Sequence, residues 1–375
     1  RDVAVSSRPM RALVITVVHN PDDSRIRFRE INALLDAGWH VTYAAPFTGY
    51  GLTVPESDNP ACLDVPRAQG RSRAKAWRGA REILKRHGAD HDLIVLHDPE
   101  LLTALRGLTL PPVVWDVHED TAAAVTLKPW LPRVLRRPVR WAYARAERAA
   151  EKRIELILAE YAYSDRFVRN HIVVPNVTGV PATVPPPDEP RVMYVGSMTA
   201  ARGTAEMVQT ARIIHEATGG AVTTELIGPA SPDVEPLLRR GAAEGVLTWP
   251  GVLPNDQAMA RLDGALAGLS LLRDHPNYRV SMPTKVTDYI AHGVPVITTP
   301  LPLAESLVND SQCGIVVPFN DAQAAADAVL ALWNTPEKRR AMGRAGHETA
   351  RAHYDWTAHA ERFARELERI AKSRL

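Results

Sequence analysis

Ten residues near the middle of the chain, Pro181 to Pro190, contain five prolines. Proline fixes φ and offers no backbone N–H, so this segment can neither continue a helix nor sit in a central strand. It reads as a stiff, extended linker over 177–190. The same pattern stands on both sides of it. Before the linker, the unalternating β-branched run Arg11–Val18 has the character of a strand buried on both faces. A helical stretch from Ser24 to Ala37, stopped by Gly38, leads to a second strand at His40–Ala45. Further strands are predicted at Leu93–His97, Val113–Val117 and Leu156–Ala159, with helices near Arg73–His87, from Pro99 and from about Val139. After the linker the alternation restarts. Strands fall at Arg191–Val195, Ala221–Ile227, Gly268–Leu272, Val296–Thr299 and Gly314–Val317, and residues from Asp321 on are mostly helical with a break near Tyr354. Strand–helix alternation gives parallel sheets with helices on both faces. The length of 375 residues suits two such cores rather than one. The fold class is therefore α/β, with two Rossmann-like doubly wound domains facing a central cleft. Ligands of open parallel sheets bind beyond the strand carboxyl ends, which makes that cleft the expected site.

The segment Pro283-Thr-Lys-Val-Thr-Asp-Tyr-Ile-Ala-His-Gly-Val-Pro-Val-Ile297 reads as a loop, a helix, a glycine stop and a buried strand. The N–H groups at such a helix start suit a phosphate. Asp288, near that start, suits a ribose diol. The combination points to a nucleoside diphosphate. Upstream, Gly196 and Ser197 end a strand, and Arg202 stands just before a helix, where a guanidinium could pair with phosphate. An ordinary surface arginine is the alternative. Gly228, at another strand end, is either a wall for the nucleotide or plain turn chemistry.

Three strand ends of the first half carry polar clusters: His19-Asn-Pro-Asp22-Asp-Ser-Arg25, His97-Asp98-Pro-Glu100 and Asp116-Val-His118-Glu119-Asp120. Carboxyl ends of parallel strands converge on one sheet edge. His118, with His97 or Asp22, is therefore expected to line the cleft. No ligand spacing supports a metal. Cys62 and Cys313 lie far apart and read as buried reduced thiols.

The net charge is only +2, yet Lys128–Arg153 holds nine Lys or Arg against two Glu. Trp130, Trp141 and Tyr143 interleave with these charges. The stretch is either a solvated helix face, a contact for an anionic membrane surface or a site for a phosphorylated acceptor. Without a recognisable module it does not indicate nucleic acid. No run of about 18 apolar residues occurs, and no basic–apolar–small leader opens the chain. The expected location is the cytoplasm, with peripheral membrane contact through 128–153.

The chain resembles the family 4 retaining glycosyltransferases of the GT-B fold along nearly its whole length. Carrying the resemblance are His19–Arg25, Leu96-His-Asp-Pro-Glu-Leu101, Trp115-Asp-Val-His-Glu119 and, most specifically, Pro283-Thr-Lys285, Asp288-Tyr289 and Gly293-Val-Pro-Val296. It implies domains at 1–176 (acceptor side) and 191–355 (nucleotide sugar). A C-terminal helix at 356–375 is expected to pack on the first domain. It further implies a retaining hexosyltransferase using a nucleoside diphosphate sugar, with a polysaccharide, glycolipid or natural-product acceptor and neither cofactor nor metal. His118, Arg202 and Lys285 become the implied catalytic residues. Gly196, Ser197, Arg202, Gly228, Thr284, Lys285 and Asp288 hold the donor, and His19, Asp22, His97, Asp98 and Glu119 form the acceptor side. The sequence departs from the family pattern at several places. The family's phosphate lysine falls on Arg202, and its arginine falls on Ser197 or is absent. The ribose glutamate is replaced by Asp288, and the sugar-contacting glutamate falls on Val280, with Asp274, Asn277, Tyr278 or Arg279 as substitutes. The glycine-rich loop after the first strand is replaced by His19–Ser24. Another GT-B nucleotide-sugar enzyme, an epimerase or phosphorylase, would look alike, as would an inactive nucleotide-sugar-binding protein. A Rossmann dehydrogenase is disfavoured because no Gly-x-Gly-x-x-Gly follows either first strand.

Overall fold

The computed structural model describes residues 8–118 and 133–373. Glu119 and the start of the basic stretch, 128–132 with Trp130, lie outside them. The chain divides into two compact units. One comprises residues up to Asn176 together with Thr357 onward, and the other runs from Val177 to Trp356.

The first unit is a seven-stranded parallel sheet of β1 (Arg11–Ile15), β2 (His40–Ala45), β3 (Ala61–Asp64), β4 (Leu93–Leu96), β5 (Val113–Val117), β6 (Glu155–Leu158) and β7 (Ile172–Val173). Its order is β3-β2-β1-β4-β5-β6-β7. The central strands are buried on both faces, as their unbroken apolar runs require, with Leu13, Ile15, Leu96 and Trp115 in the core. The second unit repeats this plan with β8 (Glu189–Val195), β9 (Thr223–Ile227), β10 (Thr248–Gly251), β11 (Ala265–Ser270), β12 (Val296–Thr298) and β13 (Gly314–Val316), ordered β10-β9-β8-β11-β12-β13. In each sheet the winding direction reverses between two neighbours, β1 and β4 in one, β8 and β11 in the other. Beyond those strand ends lies the usual ligand position of an open α/β sheet.

Several elements differ from the sequence expectation. Strands β3 and β7 went unread because they are short edge strands, half exposed. The helix expected over 24–37 is a π-type turn at Ile26–Ile31 followed by a short α-helix at Asn32–Asp36. The Glu30 N–H donates to the Arg25 carbonyl, five residues back, at 2.9 Å. That wider turn brings Arg25 and Glu30 to the same buried side, where an α-helix would separate them. The proline segment is packed rather than free: Asp188 pairs with Arg339 at 2.8 Å and with Arg340, and Pro187 lies against Gly343. Both cysteines are free. Cys313 is buried as expected, but Cys62, on an edge strand, is only half-buried.

The basic stretch forms a helix, Arg133–Glu151, with Pro138 inside it. Its two acids turn inward. Glu147 pairs with Arg166, and Glu151 accepts the Val168 and Arg169 backbone N–H groups and meets His171 at 2.8 Å. The outward face keeps Arg137, Arg140, Arg145 and Arg148, with Trp141 at 65% and Val134 at 81% exposure. The Arg145 guanidinium lies 5.6 Å from the Trp141 ring centre.

Candidate functional site

In the first unit, the ends of β1, β4 and β5 bring four sequence-expected residues together. Asp98, one residue past His97, ties the end of β1 in place. Its Oδ2 accepts from Thr16 Oγ1 at 3.0 Å and from the Val17 N–H at 2.6 Å. Its Oδ1 lies 3.3 Å from His19 Nε2. His19 Nε2 in turn faces His118 Nε2 at 3.0 Å, and His118 Nδ1 stands 2.9 Å from Asp116 Oδ2. His19 and His118 are half-buried and reach the surface, whereas Asp98 and Asp116 are buried.

Beneath them lies a charged layer that the sequence reading missed. The Arg25 guanidinium donates to both Asp116 oxygens, at 2.8 and 2.7 Å, and to the Val174 carbonyl at 2.9 Å. Glu30 Oε1 is 2.9 Å from Arg25 Nε. Burial opposes ionisation of Asp116, but the Arg25 charge and hydrogen bonds hold its carboxyl well below the usual range. Glu30 goes the other way: burial and the Asp116 charge push it well above its ordinary value, against the pull of Arg25. Arg25 and Asp116 stand in the polar strand-end clusters legible in the sequence, whereas Glu30 falls in a stretch that also holds Arg27, Arg29 and Asp36 and has no local mark of burial.

His97 corrects the sequence expectation. It is fully buried, with Nδ1 3.3 Å from Asp116 Oδ2 and Nε2 3.5 Å from Glu30 Oε2. Burial lowers its pKa, outweighing the opposing pull of Asp116. His97 therefore supports the layer and does not reach the surface. Asp22 is exposed on the turn after β1, with its N–H bonded to Asn20 Oδ1. Glu160, just beyond β6, is half-buried, and burial raises its carboxyl to about 7 against the pull of Arg25. His97, Asp116 and His118 are also a group of ligand-type side chains among the described residues, with donor atoms within 4.8 Å of one another. Both Asp116 oxygens are already taken by Arg25, so a cation on Asp116 would sit against a guanidinium. That arrangement fits a hydrogen-bonded network better than a metal.

In the second unit, the expected residues gather beyond β8. Tyr194 folds under the following loop and its OH donates to the Ser197 carbonyl at 2.7 Å. Gly228 supports that loop from β9. It has φ +136°, and a Cβ there would lie 2.1 Å from the Gly196 carbonyl oxygen, so only glycine fits. Thr199 caps the short turn Ala200–Arg202, accepting from the Arg202 N–H, and leaves the Arg202 side chain half-buried. Helix Thr284–Ala291 starts after Pro283 with no side-chain cap and no acid in its first turn. The Val286 N–H donates to the Pro283 carbonyl at 2.9 Å, which leaves the N–H groups of Thr284 and Lys285 at the open start. Thr284 is exposed and Asp288 half-buried on this helix.

Lys285 is the unusual member. It is 6% exposed, and its Nζ lies 5.2 Å from the Tyr194 ring centre. Among the described residues no carboxylate is within ion-pair distance of it. Burial, and then the Arg202 charge, lower its pKa to about 7, with Asp288 acting weakly the other way. Two cations and an uncapped helix start thus converge near Asp288, whose charge pulls the Lys285 pKa upward. Val280, the position of the family's sugar-contacting glutamate, is 47% exposed beside an Asp274–Arg279 pair at 2.5 Å.

The chain is similar to known proteins in part of its sequence and in its fold. Residues 189–335, the sheet that carries Arg202 and Lys285, match the family of glycosyl transferases group 1. A stretch of 88 residues, 24% of this chain, is 33% identical to phosphatidyl-myo-inositol mannosyltransferase of Mycobacterium leprae (strain TN) and spans 23% of that relative. The fold is that of sucrose-phosphate synthase from Thermosynechococcus elongatus, with TM-score 0.72, 19% identity, and 97% and 99% of the two chains covered. Anabaena HepE in complex with UDP-glucose matches with TM-score 0.66 and 12% identity over 96% and 100% of the chains. Two parallel doubly wound units, the second matching glycosyl transferases group 1 over residues 189–335, make the chain similar in fold to the GT-B glycosyltransferases.

Proposed function

We propose that the chain is a retaining glycosyltransferase that moves a sugar from a nucleoside diphosphate sugar to an acceptor. The observation that carries this reading is Lys285: a buried amine with no carboxylate within ion-pair distance among the described residues, beside Arg202 and an open helix N-terminus. A diphosphate supplies the missing anion. In this reading Lys285, Arg202 and the N–H groups at Thr284 stabilise the departing diphosphate, and preorganised donors of this kind dominate such a reaction. Asp288 binds the ribose, and Gly196, Ser197 and Gly228 form the close wall of the nucleotide. Charge stabilisation by side chains leaves no need for a metal at the phosphates. No protein nucleophile is assigned, in contrast to retaining hydrolases with paired carboxylates. His118 serves the sugar and acceptor side, with His19 and Asp98 near it, and Glu119 is assigned to the same side from the sequence alone. His118→Ala should then lower turnover more than donor binding; unchanged turnover would remove it from the site.

The acceptor is expected to be a polysaccharide, glycolipid or natural product. The arginine-rich outward face of the Arg133–Glu151 helix, with exposed Trp141 and Val134, favours peripheral contact with an anionic membrane. No described helix is long and apolar enough to cross one.

The test is a thermal-shift screen against UDP-, GDP-, ADP- and dTDP-sugars, with magnesium or with EDTA. A ligand of the native state raises the Tm by mass action. One metal-independent shift supports the reading, and no shift from any donor refutes it. Val280 favours a second reading, a nucleotide-sugar-binding protein without transfer activity. It requires donor binding with no turnover under any acceptor screen.

A further inference from the structure

We propose that the first unit binds a single anionic phospholipid molecule in two adjoining hollows along the Arg133–Glu151 helix, with the lipid phosphate in a basic hollow and an acyl chain in an apolar groove. The basic hollow encloses about 680 Å³. Arg145, Arg148, Lys152 and Arg153 line it, with Arg169 among them. Arg169 is engaged by the chain itself: its guanidinium donates to the Glu151 carbonyl and, at 3.0 Å, to the Ile154 carbonyl, and it stands 3.6 Å from Glu155. Arg148, Lys152 and Arg153 make no hydrogen bond or ion pair among the described residues. Glu151, the one acid among the described lining residues, is buried and taken by the Val168 and Arg169 backbone N–H groups and by His171. The helix C-terminus offers these cations about half a negative charge, which offsets only a fraction of theirs. An anion from outside the chain completes the balance.

The apolar groove encloses about 560 Å³ and meets the basic hollow at Ala149 and Arg153, which line both. Leu102 and Leu105 of the short 3-10 helix Pro99–Leu105, Leu108 and Leu110 of the loop before β5, and Ile154 before β6 form its walls, all half-buried. The helix adds Ala146, Ala149 and Ala150, whose methyl groups leave the space between these walls open. A contiguous apolar surface left to water marks a place for another molecule, and both volumes suit a small-molecule site, about 300–1,000 Å³. The pairing of the two hollows decides which molecule. Free phosphate would leave the groove empty, and a neutral lipid would leave the cations unpaired. A peptide would bring backbone polar groups against hydrocarbon walls. A molecule with a phosphate and a hydrocarbon chain satisfies both hollows at once. Trp141 and Val168, the latter at 81% exposure, also line the basic hollow and suit a membrane interface. Leu110, Ile154 and Arg169 stand before β5, β6 and β7, so the hollows lie toward the strand amino ends, whereas His19 and His118 lie past carboxyl ends. The lipid held here is thus an anchor and not the acceptor. This narrows the membrane contact proposed above from a charged face to one bound molecule, and it does not depend on sugar transfer.

The test is isothermal titration calorimetry of the full chain with short-chain phospholipids, each kept below its micelle concentration. Dihexanoyl phosphatidylglycerol should bind, and diheptanoyl phosphatidylglycerol should bind about fourfold more tightly for each added methylene that enters the groove. Dihexanoyl phosphatidylcholine, with no net charge, should bind about tenfold more weakly, and so should inorganic phosphate, which has no chain. Ala149→Trp, an exposed helix position at the junction, should abolish the dependence on chain length. Arg148→Gln combined with Lys152→Gln should abolish the preference for phosphatidylglycerol over phosphatidylcholine. Equal affinity for phosphate and for the anionic lipid would mean an anion patch only and would overturn the proposal. Equal affinity for the two lipid headgroups would mean a groove without charge recognition and would also overturn it. A chain that sediments with anionic liposomes yet binds no short-chain lipid would keep the membrane contact and overturn the single-lipid site. The headgroup and chain-length comparisons on the wild-type chain decide even if a variant fails to fold.

Discussion

Lys285 makes donor binding dependent on pH in a direction that can be worked out. Its free-state pKa of about 7, against the ordinary 10.5, means that the ammonium is half discharged near neutrality. A bound diphosphate favours the charged form and returns the pKa toward its ordinary value. The complex therefore holds more protons than the free chain, and binding weakens as pH rises. Each unit of pH above 7 costs up to about 1.4 kcal/mol, or tenfold. With a bound-state pKa near 10.5, linkage gives about 15-fold weaker binding at about pH 8.5 than at about pH 7. Proton uptake rises over the same window from about half a proton to nearly one. Isothermal titration calorimetry of the donor found by thermal shift, in two buffers of different ionisation enthalpy, reads both quantities. Lys285→Met should bind more weakly and lose the pH dependence. Wild-type binding that is flat across this window with no proton uptake would refute the argument, because the buried lysine would then not be the group that meets the phosphate.

Arg202→Ala and Asp288→Ala should each weaken donor binding in the same titration, by roughly tenfold or more for the loss of a charge-assisted contact; two variants that bind like wild type would sink the donor-site assignment. Arg25→Met leaves Asp116 buried without its partner and should destabilise the first unit by about 3–5 kcal/mol, read as a lower urea midpoint; an unchanged midpoint would show that the charged layer is not held by Arg25. Trp141→Ala combined with Arg145→Glu should lower co-sedimentation with anionic liposomes while leaving neutral liposomes unaffected. If wild-type sedimentation does not depend on anionic lipid, the membrane contact is wrong.

The amino-acid sequence by itself determined the strands at the centre of both sheets. Val14, Val95 and Val114, or Met193, Leu269 and Ile297, belong to runs with no polar alternation, and only a strand covered on both faces tolerates that. Local composition was enough there because burial acts on every residue of the run. The edge strands β3 and β7 were not legible, since their pairing comes from the neighbouring strand and not from their own composition. The site divides in the same way. The helix start at Thr284 and the glycine stop at Gly293 are local signals, and they were readable. That His97 is sealed under His118, or that Arg25 and Glu30 meet through a π-type turn, depends on strand order and on one shifted backbone hydrogen bond. Only the tertiary structure decided that Lys285 is buried, because desolvation is a property of everything packed around a side chain and not of the residues next to it in sequence.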